Sequence, residues 1–407
     1  MVYQNLLVFA LFILIYSLVA KRIEKTAISG PLLAIIVGLA AGPLLFNVIS
    51  VKVDIEGYKI IAELALALVL FTDAANTNIR ELIKNISIPS RLLLIGLPLT
   101  ILLGMAGGYL LFEGFTWIEL GILATLLAPT DAALGKAVVT NPSVPPKIRE
   151  SLNVESGLND GICVPVLFFF IALFSAQTGE GLSFSFGLLL FAEEIGIGLI
   201  AGLATIFIMD KLVHYSENHQ WISKSWKTVV IITLAFSCFT AAQLAGGSGF
   251  IACFTGGLLY SVINRKYKHE LLEASEGAGD TLSMLTWFIF GSVVIAKNIR
   301  FFTWETIIYA LLSLTLIRMI PVLLALIKTG LPWKEKLFIS WFGPRGLASI
   351  VFAIIVFDIG MPHKETIILT AIFTILLSVI SHGFTANPFI RRLNTKKTEL
   401  KNDSDHR

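Results

Sequence analysis

Thirteen apolar runs follow one another along this chain, near residues 5–20, 31–49, 58–77, 91–112, 116–139, 151–176, 184–209, 228–245, 248–263, 280–296, 303–327, 337–357 and 365–390. Each holds roughly 16–27 residues, and a helix needs about 20 to cross the hydrocarbon of a bilayer. Lipid offers no hydrogen-bond partners, so backbone at that depth must satisfy its own peptide groups, as a helix does. The chain is 56% hydrophobic and only 14% charged, against about 25% charged in soluble domains. The pattern predicts an all-α membrane protein of about 13 transmembrane helices, forming one domain over residues 1–392. Residues 393–407 remain as a short, charged cytoplasmic tail, expected to lack structure.

Basic residues give the orientation. With the uncharged N-terminus outside, alternate loops and the tail carry 24 Lys and Arg, including Lys21, Arg22, Lys25, Arg149, Arg265, Lys266 and Arg407. The opposite loops carry 5, namely Lys52, Lys59, Lys297, Arg300 and Lys364. That bias places the C-terminus in the cytoplasm and requires an odd number of spans. The chain has 31 basic residues, so two are left, Arg318 and Arg345, both inside predicted spans. Subtraction makes them functional candidates.

Several classes of function find no support. The net charge of +3 gives no hint of a nucleic-acid partner. There is no HExxH and no GxxxxGK[ST] loop, so neither a metalloprotease nor an ATP-driven pump is indicated. The first run has its positive cluster after it rather than before it, which suits an N-out anchor and not a signal peptide. Cys163, Cys238 and Cys253 show no CxxC spacing and are expected to be buried free thiols. No cofactor and no enzymatic activity are expected.

The polar residues inside the runs are few and patterned. Glu155-Ser156-Gly157-Leu158-Asn159-Asp160 leads into the uncharged stretch 161–176. On a helix Glu155 and Asn159 are one turn apart, as are Ser156 and Asp160, so the four share one stripe. A charged side chain at mid-bilayer costs at least ~2.5–3.5 kcal/mol, so such residues face a partner, an ion or water. Two other runs combine helix breakers with charge: Ala128-Pro129-Thr130-Asp131-Ala132-Ala133, and Trp341-Phe342-Gly343-Pro344-Arg345-Gly346. Proline and glycine loosen a helix there. Unwound backbone is tolerated at membrane depth only where protein encloses it or it lines a cavity. Transporters with inverted repeats place such breaks in corresponding positions of their halves, around the substrate. Asp73 lies deep in the third run and needs a partner, whereas Glu63 is expected to reach the interface. Glu193 and Glu194 are adjacent and cannot share one helix face. Arg318 needs a counter-charge.

Together these motifs resemble the sodium/proton exchanger family, the branch of monovalent cation:proton antiporters (family 1) with Asn-Asp in the central motif. Glu155 to Asp160 is similar to that family's Glu-Ser-Leu-Leu-Asn-Asp, Thr130-Asp131-Ala132 to its Thr-Asp-Pro, and Gly343-Pro344-Arg345-Gly346 to its Gly-x-Arg-Gly. Alanine stands where the family has proline after the aspartate, and Gly157 where it has an aliphatic residue. The long regulatory tail of animal exchangers is absent, which suggests a prokaryotic type.

The resemblance implies the antiporter fold, with inverted repeats and two discontinuous crossing helices. It implies a Na+ (or K+) and proton site at Asp160, Asp131, Ser156, Thr130 and Asp73. Asn159 would hold the broken regions together, Glu155 would pair with Arg318, and Arg345 would stabilise the crossing. The activity implied is Na+/H+ antiport by alternating access at a buried carboxylate, electroneutral because residue 159 is Asn. The setting would be a homodimer among the lipids of the cell membrane, serving pH homeostasis. A K+/H+ antiporter on the same fold is the nearest alternative, and a pH-gated cation channel a more distant one. An intramembrane aspartyl protease would lack a Gly-x-Gly-Asp element at either Asp131 or Asp160.

Overall fold

The structure is a computed structural model and describes residues 2–23, 26, 28–49, 55–131, 134, 136–139, 141–176, 184–264, 268–357 and 359–405. Ala132 and Ala133 of the first break, and Lys25, Lys52, Arg265, Lys266 and Arg407 of the charge census, lie outside these residues. The secondary structure among the described residues is helical, with no strand. In chain order the helices are α1 Val2–Ile23, α2 Gly30–Ala41, α3 Ile55–Asn76, α4 Ile79–Asn85, α5 Ser87–Arg91, α6 Leu97–Leu111 and α7 Trp117–Leu126. There follow α8 Lys136–Val139, α9 Pro146–Ser175, α10 Phe184–Asn218, α11 Lys224–Leu244, α12 Gly249–Ile263 and α13 Lys268–Ile289. The chain ends with α14 Ala296–Asn298, α15 Trp304–Leu314, α16 Leu316–Ala325, α17 Trp333–Trp341, α18 Leu347–Phe357 and α19 Lys364–Asp405.

Each of the thirteen expected runs contains helical backbone among the described residues, though two of them are interrupted. Among the described residues, eight helices are long and apolar enough to cross a membrane, or nine if α3 and α4, bent by 84° at their junction, form one span. Four more apolar helices, α2, α7, α12 and α18, have 10–17 residues. Two of these four, α7 and α18, are short because their spans break. The tail, expected to lack structure, continues α19 in helical backbone to Asp405. No glycine or proline follows Pro388 to stop it.

Local chemistry sets several boundaries. Thr116 and Glu119 form a reciprocal capping box that starts α7. Ser248 caps α12 by accepting the Ile251 amide at 3.3 Å. Gly246, at φ +80°, ends the turn after α11, where the left-handed region favours glycine.

Contacts between connections show which helix ends lie together. Arg91 donates to the Ala325 and Ile327 carbonyls at 3.1 and 2.6 Å, and Lys147 lies 3.1 Å from Glu335. Asn387 reaches the Thr26 carbonyl at 2.8 Å and Asn264 the Asp210 carboxylate at 2.7 Å. All of these join loops expected on one side of the membrane. At the other end, His363 meets Glu119 at 3.0 Å and the Ser248 amide meets the Glu194 carbonyl at 3.0 Å.

The helices group into two bundles. In one, α3 packs on α12 and α13, α2 on α13, and α10 on α11 and α12. In the other, α6 packs on α7 and α16, α15 and α18 on α19, and α16 on α17. Helix α9 runs along the seam, touching α7 of the second bundle and α10, α12 and α3 of the first. Gly157 sits at this seam, where a Cβ would come 2.2 Å from Cε2 of Phe254 on α12. Phe254 is fully buried, in a small apolar cluster with Ala74, Leu82 and Val154. The departure from an aliphatic residue at 157 therefore has a partner: the ring fills the missing side chain's place. Gly157→Leu is expected to overpack the seam by about 1–3 kcal/mol. Thermal unfolding in detergent should show a lowered midpoint that Phe254→Ala in the same chain partly restores; an unchanged midpoint would refute the fit.

Candidate cation site

The two broken spans meet end against end. Helix α7 stops at Leu126, the Leu127 amide closing it by donating to the Leu123 carbonyl at 3.2 Å, and residues 128–131 run on outside the helix. Helix α17 stops at Trp341, and residues 342–346 lie outside helix before α18 begins at Leu347. The segments join through the Asp131 amide, which donates to the Pro344 carbonyl at 2.7 Å.

Each segment supplies the charge that the other's helix end lacks. The Asp131 carboxylate accepts the Leu347 amide at 2.9 Å, at the N-terminus of α18. Its other oxygen accepts the Leu134 amide at 3.2 Å. Arg345 donates in turn to the Ala128 and Pro129 carbonyls at 3.2 and 3.4 Å, just past the C-terminus of α7, and to the Gly343 carbonyl of its own segment at 3.2 Å. Helix N-termini carry unsatisfied amides and partial positive charge, and C-termini carry carbonyls and partial negative charge. An acid on the first and a guanidinium on the second neutralise both ends where no water can.

Two glycines make room for this. A Cβ on Gly346 would lie 1.7 Å from Asp131 Oδ2, and one on Gly343 would lie 2.5 Å from Arg318 Nε. The Gly-Pro-Arg-Gly element thus clears space for one acid and one base while itself presenting Arg345.

Helix α9 passes beside the crossing and presents the central hexapeptide. Ser156 donates its hydroxyl to the Thr130 carbonyl. Asn159 donates to the Ala128 carbonyl at 3.3 Å and accepts the Cys163 thiol at 3.1 Å. Glu155 lies 2.6 Å from Arg318 of α16, both side chains being 2% exposed. That contact is close but oblique, an ion pair more than a hydrogen bond. Asp160 takes a backbone hydrogen bond from Thr130, and the charges that bear on it are Asp131, Asp73 and Arg345. Its Oδ1 is buried without a hydrogen-bond partner, and so is the Thr130 hydroxyl. Buried polar atoms are normally satisfied, so unspent oxygens here are a place for a ligand.

Thr130, Asp131, Leu152, Ser156, Phe342 and Pro344 help to line an adjoining cavity of about 20 Å³, room for about one water molecule. Among the described residues no three His, Cys, Asp or Glu side chains cluster as around a transition metal. The donors available are carboxylate, hydroxyl and carbonyl oxygens, which suit hard cations. Asp73 is half-buried on α3 across the seam, where its charge bears on Asp160. Its carbonyl accepts from Asn153 of α9 at 3.3 Å.

The structure therefore brings Thr130, Asp131, Ser156, Asn159, Asp160 and Arg345 to one crossing and puts the Glu155–Arg318 pair beside it. Sequence reasoning missed the polar stripe of α19, in which Ser378 accepts the Arg345 amide at 2.7 Å. It also missed Ser349, which donates to the Leu126 carbonyl at 3.0 Å, and Glu276 of α13, which accepts from Asn76. The stripe Ser378, His382 and Thr385 has helical spacing in an apolar run, the same signal that marked residues 155–160.

Residues 7–392 match the family model for the sodium/hydrogen exchanger, transmembrane. The chain belongs to that family. Among relatives of this family member, a K(+)/H(+) antiporter NhaP from Alkalimonas amylolytica is 24% identical over 400 residues, covering 96% of this chain and 67% of that protein. A K(+)/H(+) antiporter NhaP2 from Shewanella sp. (strain ANA-3) is 23% identical over 335 residues, 81% of this chain. The chain matches 57% of the length of that NhaP2. A Na(+)/H(+) antiporter from Schizosaccharomyces pombe is 24% identical, covering 74% of this chain and 73% of that protein. The fold is that of the sodium proton antiporter MjNhaP1 from Methanocaldococcus jannaschii, with TM-score 0.76, 22% identity and coverage of 96% of this chain and 100% of that one.

The Glu155–Arg318 pair yields a test of stability. Removing one partner of a buried ion pair typically costs about 3–5 kcal/mol, because the other charge is stranded. Glu155→Ala and Arg318→Ala should each lower the unfolding midpoint sharply, and exchanging the two residues should recover part of it. A Glu155→Ala protein that melts like the parent but no longer transports would show that this glutamate serves the ion instead.

Proposed function

We propose that this member of the family is a secondary active antiporter that exchanges protons for Na+ across the cell membrane, one for one, and so serves pH homeostasis. The observation that carries this is Asp160 Oδ1, buried without a partner beside the equally unpartnered Thr130 hydroxyl, at a crossing enclosed by protein. The cation is substrate, held by Asp160, Ser156, Thr130 and Asp131, with Asp73 contributing from α3. A carboxylate that must release its proton to hold a cation takes one or the other, and this competition couples the two fluxes.

Alternating access follows from the two bundles. Asp160 belongs to α9 on the seam, and Asp73 to α3 in the bundle across it. A bare carboxylate resists passage through a dry seam because nothing replaces its water. Neutralised by a proton or a cation, it passes. Asp131 and Arg345 keep the helix ends compensated in both positions, and Glu155–Arg318 and Asn159 keep α9 registered on the crossing.

The setting is thirteen spans with the N-terminus outside and the C-terminus in the cytoplasm, supported by the one-sided distribution of Lys and Arg. The chain acts as a homodimer, and as a transporter rather than an enzyme. K+/H+ exchange at the same site is the second reading, favoured by the likeness to the K(+)/H(+) antiporters NhaP and NhaP2.

The test is dequenching of a pH dye in everted vesicles, titrated with Na+, Li+ and K+ over a range of pH. Na+ should dissipate the gradient, and Asp160→Asn should abolish the response while the variant remains folded in the membrane. Cation flux coupled to the pH gradient in that variant would sink the assignment, and a response to K+ alone would favour the second reading. In proteoliposomes the rate should not change with membrane potential; dependence on potential would overturn one-for-one exchange.

A further inference from the structure

The break between α17 and α18 takes two backbone groups out of helical pairing: at one end Trp341 O, which accepts only the Gly343 amide at 2.9 Å from the backbone, and at the other the Arg345 N–H. Helix α19 reaches both. The Arg345 amide donates to Ser378 Oγ at 2.7 Å. Ser378 Oγ lies 3.2 Å from Nδ1 of His382, one turn further along α19. Nε2 of His382 lies 2.9 Å from the Trp341 carbonyl. His382 is 3% exposed, and its ring is stacked on the Trp341 indole with centroids 5.2 Å apart.

These contacts agree on direction only in one neutral tautomer. Trp341 O accepts, so Nε2 must carry the proton, and a neutral ring then offers Nδ1 as an acceptor. The Ser378 hydroxyl can donate to Nδ1 because its own oxygen already accepts from Arg345. The Ser381 hydroxyl, 3.4 Å away, offers a second donor. The Ser378 carbonyl, 2.9 Å from Nδ1, is the partner in the other tautomer, which gives up the link to Trp341. In the Nε2–H form a single relay runs from Arg345 N–H through Ser378 and His382 to Trp341 O, spanning the break from end to end.

We propose that Ser378 and His382 are positioning residues for the cation site, fixing the length and path of the broken segment 342–346 through this relay. The inference rests on the antiport reading of the crossing. The physical reason is proximity: Pro344 O holds the Asp131 amide, Arg345 holds the carbonyls beside Thr130, and Thr130 O holds Ser156. A shift of the segment therefore moves the donor set of the ion. Neither residue touches the cation. Thr385 lies on the same stripe and accepts the Trp341 indole N–H at 2.9 Å, but it stands outside the relay and supplies a control.

The test measures apparent KM for Na+ and maximal rate separately in everted vesicles. Ser378→Ala and His382→Phe should raise apparent KM by about 3- to 10-fold, the scale of one lost buried hydrogen bond, with maximal rate held within about twofold. Ser378→Thr, which keeps the hydroxyl, and His382→Gln, which keeps an N–H for Trp341 O, should lie close to the parent. Thr385→Val should leave apparent KM unchanged. A general loss of packing would lower the amount of folded protein and the maximal rate without this split between conservative and disruptive variants. If Ser378→Ala does not accumulate, the His382→Gln and His382→Phe comparison carries the same decision. Apparent KM equal in these two and in the parent overturns the proposal, as does a Thr385→Val effect of the same size as His382→Phe. Asp160→Asn assayed alongside keeps the two levels apart: residual exchange there condemns the antiport site itself, whereas unmoved KM in the α19 variants condemns only the relay.

Discussion

Everything at the centre of this molecule depends on how two interrupted helices are compensated where there is no water. An unwound segment at membrane depth exposes helix ends with unsatisfied amides on one side and carbonyls on the other. Here Asp131 of the first break sits on the amide end of α18, and Arg345 of the second sits on the carbonyl end of α7. The exchange is reciprocal, so neither break can be solved alone. The two segments are bound as one unit, and the backbone bond from Asp131 to Pro344 closes it.

Asp131 and Asp160 consequently differ in what they have left to offer. Both oxygens of Asp131 accept backbone amides, so its charge is largely spent on the frame. Asp160 keeps one oxygen unengaged. The polar stripe of α9 divides in the same way. Glu155 faces Arg318, Asn159 faces the first break, and Ser156 and Asp160 face the space between the segments. Gly157 lies against Phe254 of α12, so one short stretch of α9 carries the residues proposed as ion donors and a contact across the seam.

The residues of the crossing were legible in the sequence for a simple reason. Charge, proline and glycine are costly in an apolar run, so Asp131, Arg345, Arg318 and the stretch 155–160 stood out against their surroundings. Serine, threonine and histidine are tolerated there by bonding to their own helix, so Ser349, Ser378 and His382 drew no attention. Thr374, which donates to the Thr370 carbonyl one turn back at 2.7 Å, shows how ordinary such a residue can be. Only contact with a broken partner distinguishes Ser378 from it.

What the sequence determined by itself is the class of structure and the sites of strain. Thirteen apolar runs require helices, because lipid leaves the backbone no other donor or acceptor, and the breakers mark where those helices fail. What only the tertiary structure decided is the pairing: which acid meets which helix end, that Phe254 occupies the gap left by Gly157, and that α19 splints the second break. These choices join residues 33 to 217 positions apart, from Arg345 with Ser378 to Arg345 with Ala128. No local periodicity encodes such distances, because packing selects partners by space and unsatisfied valence after the helices have formed.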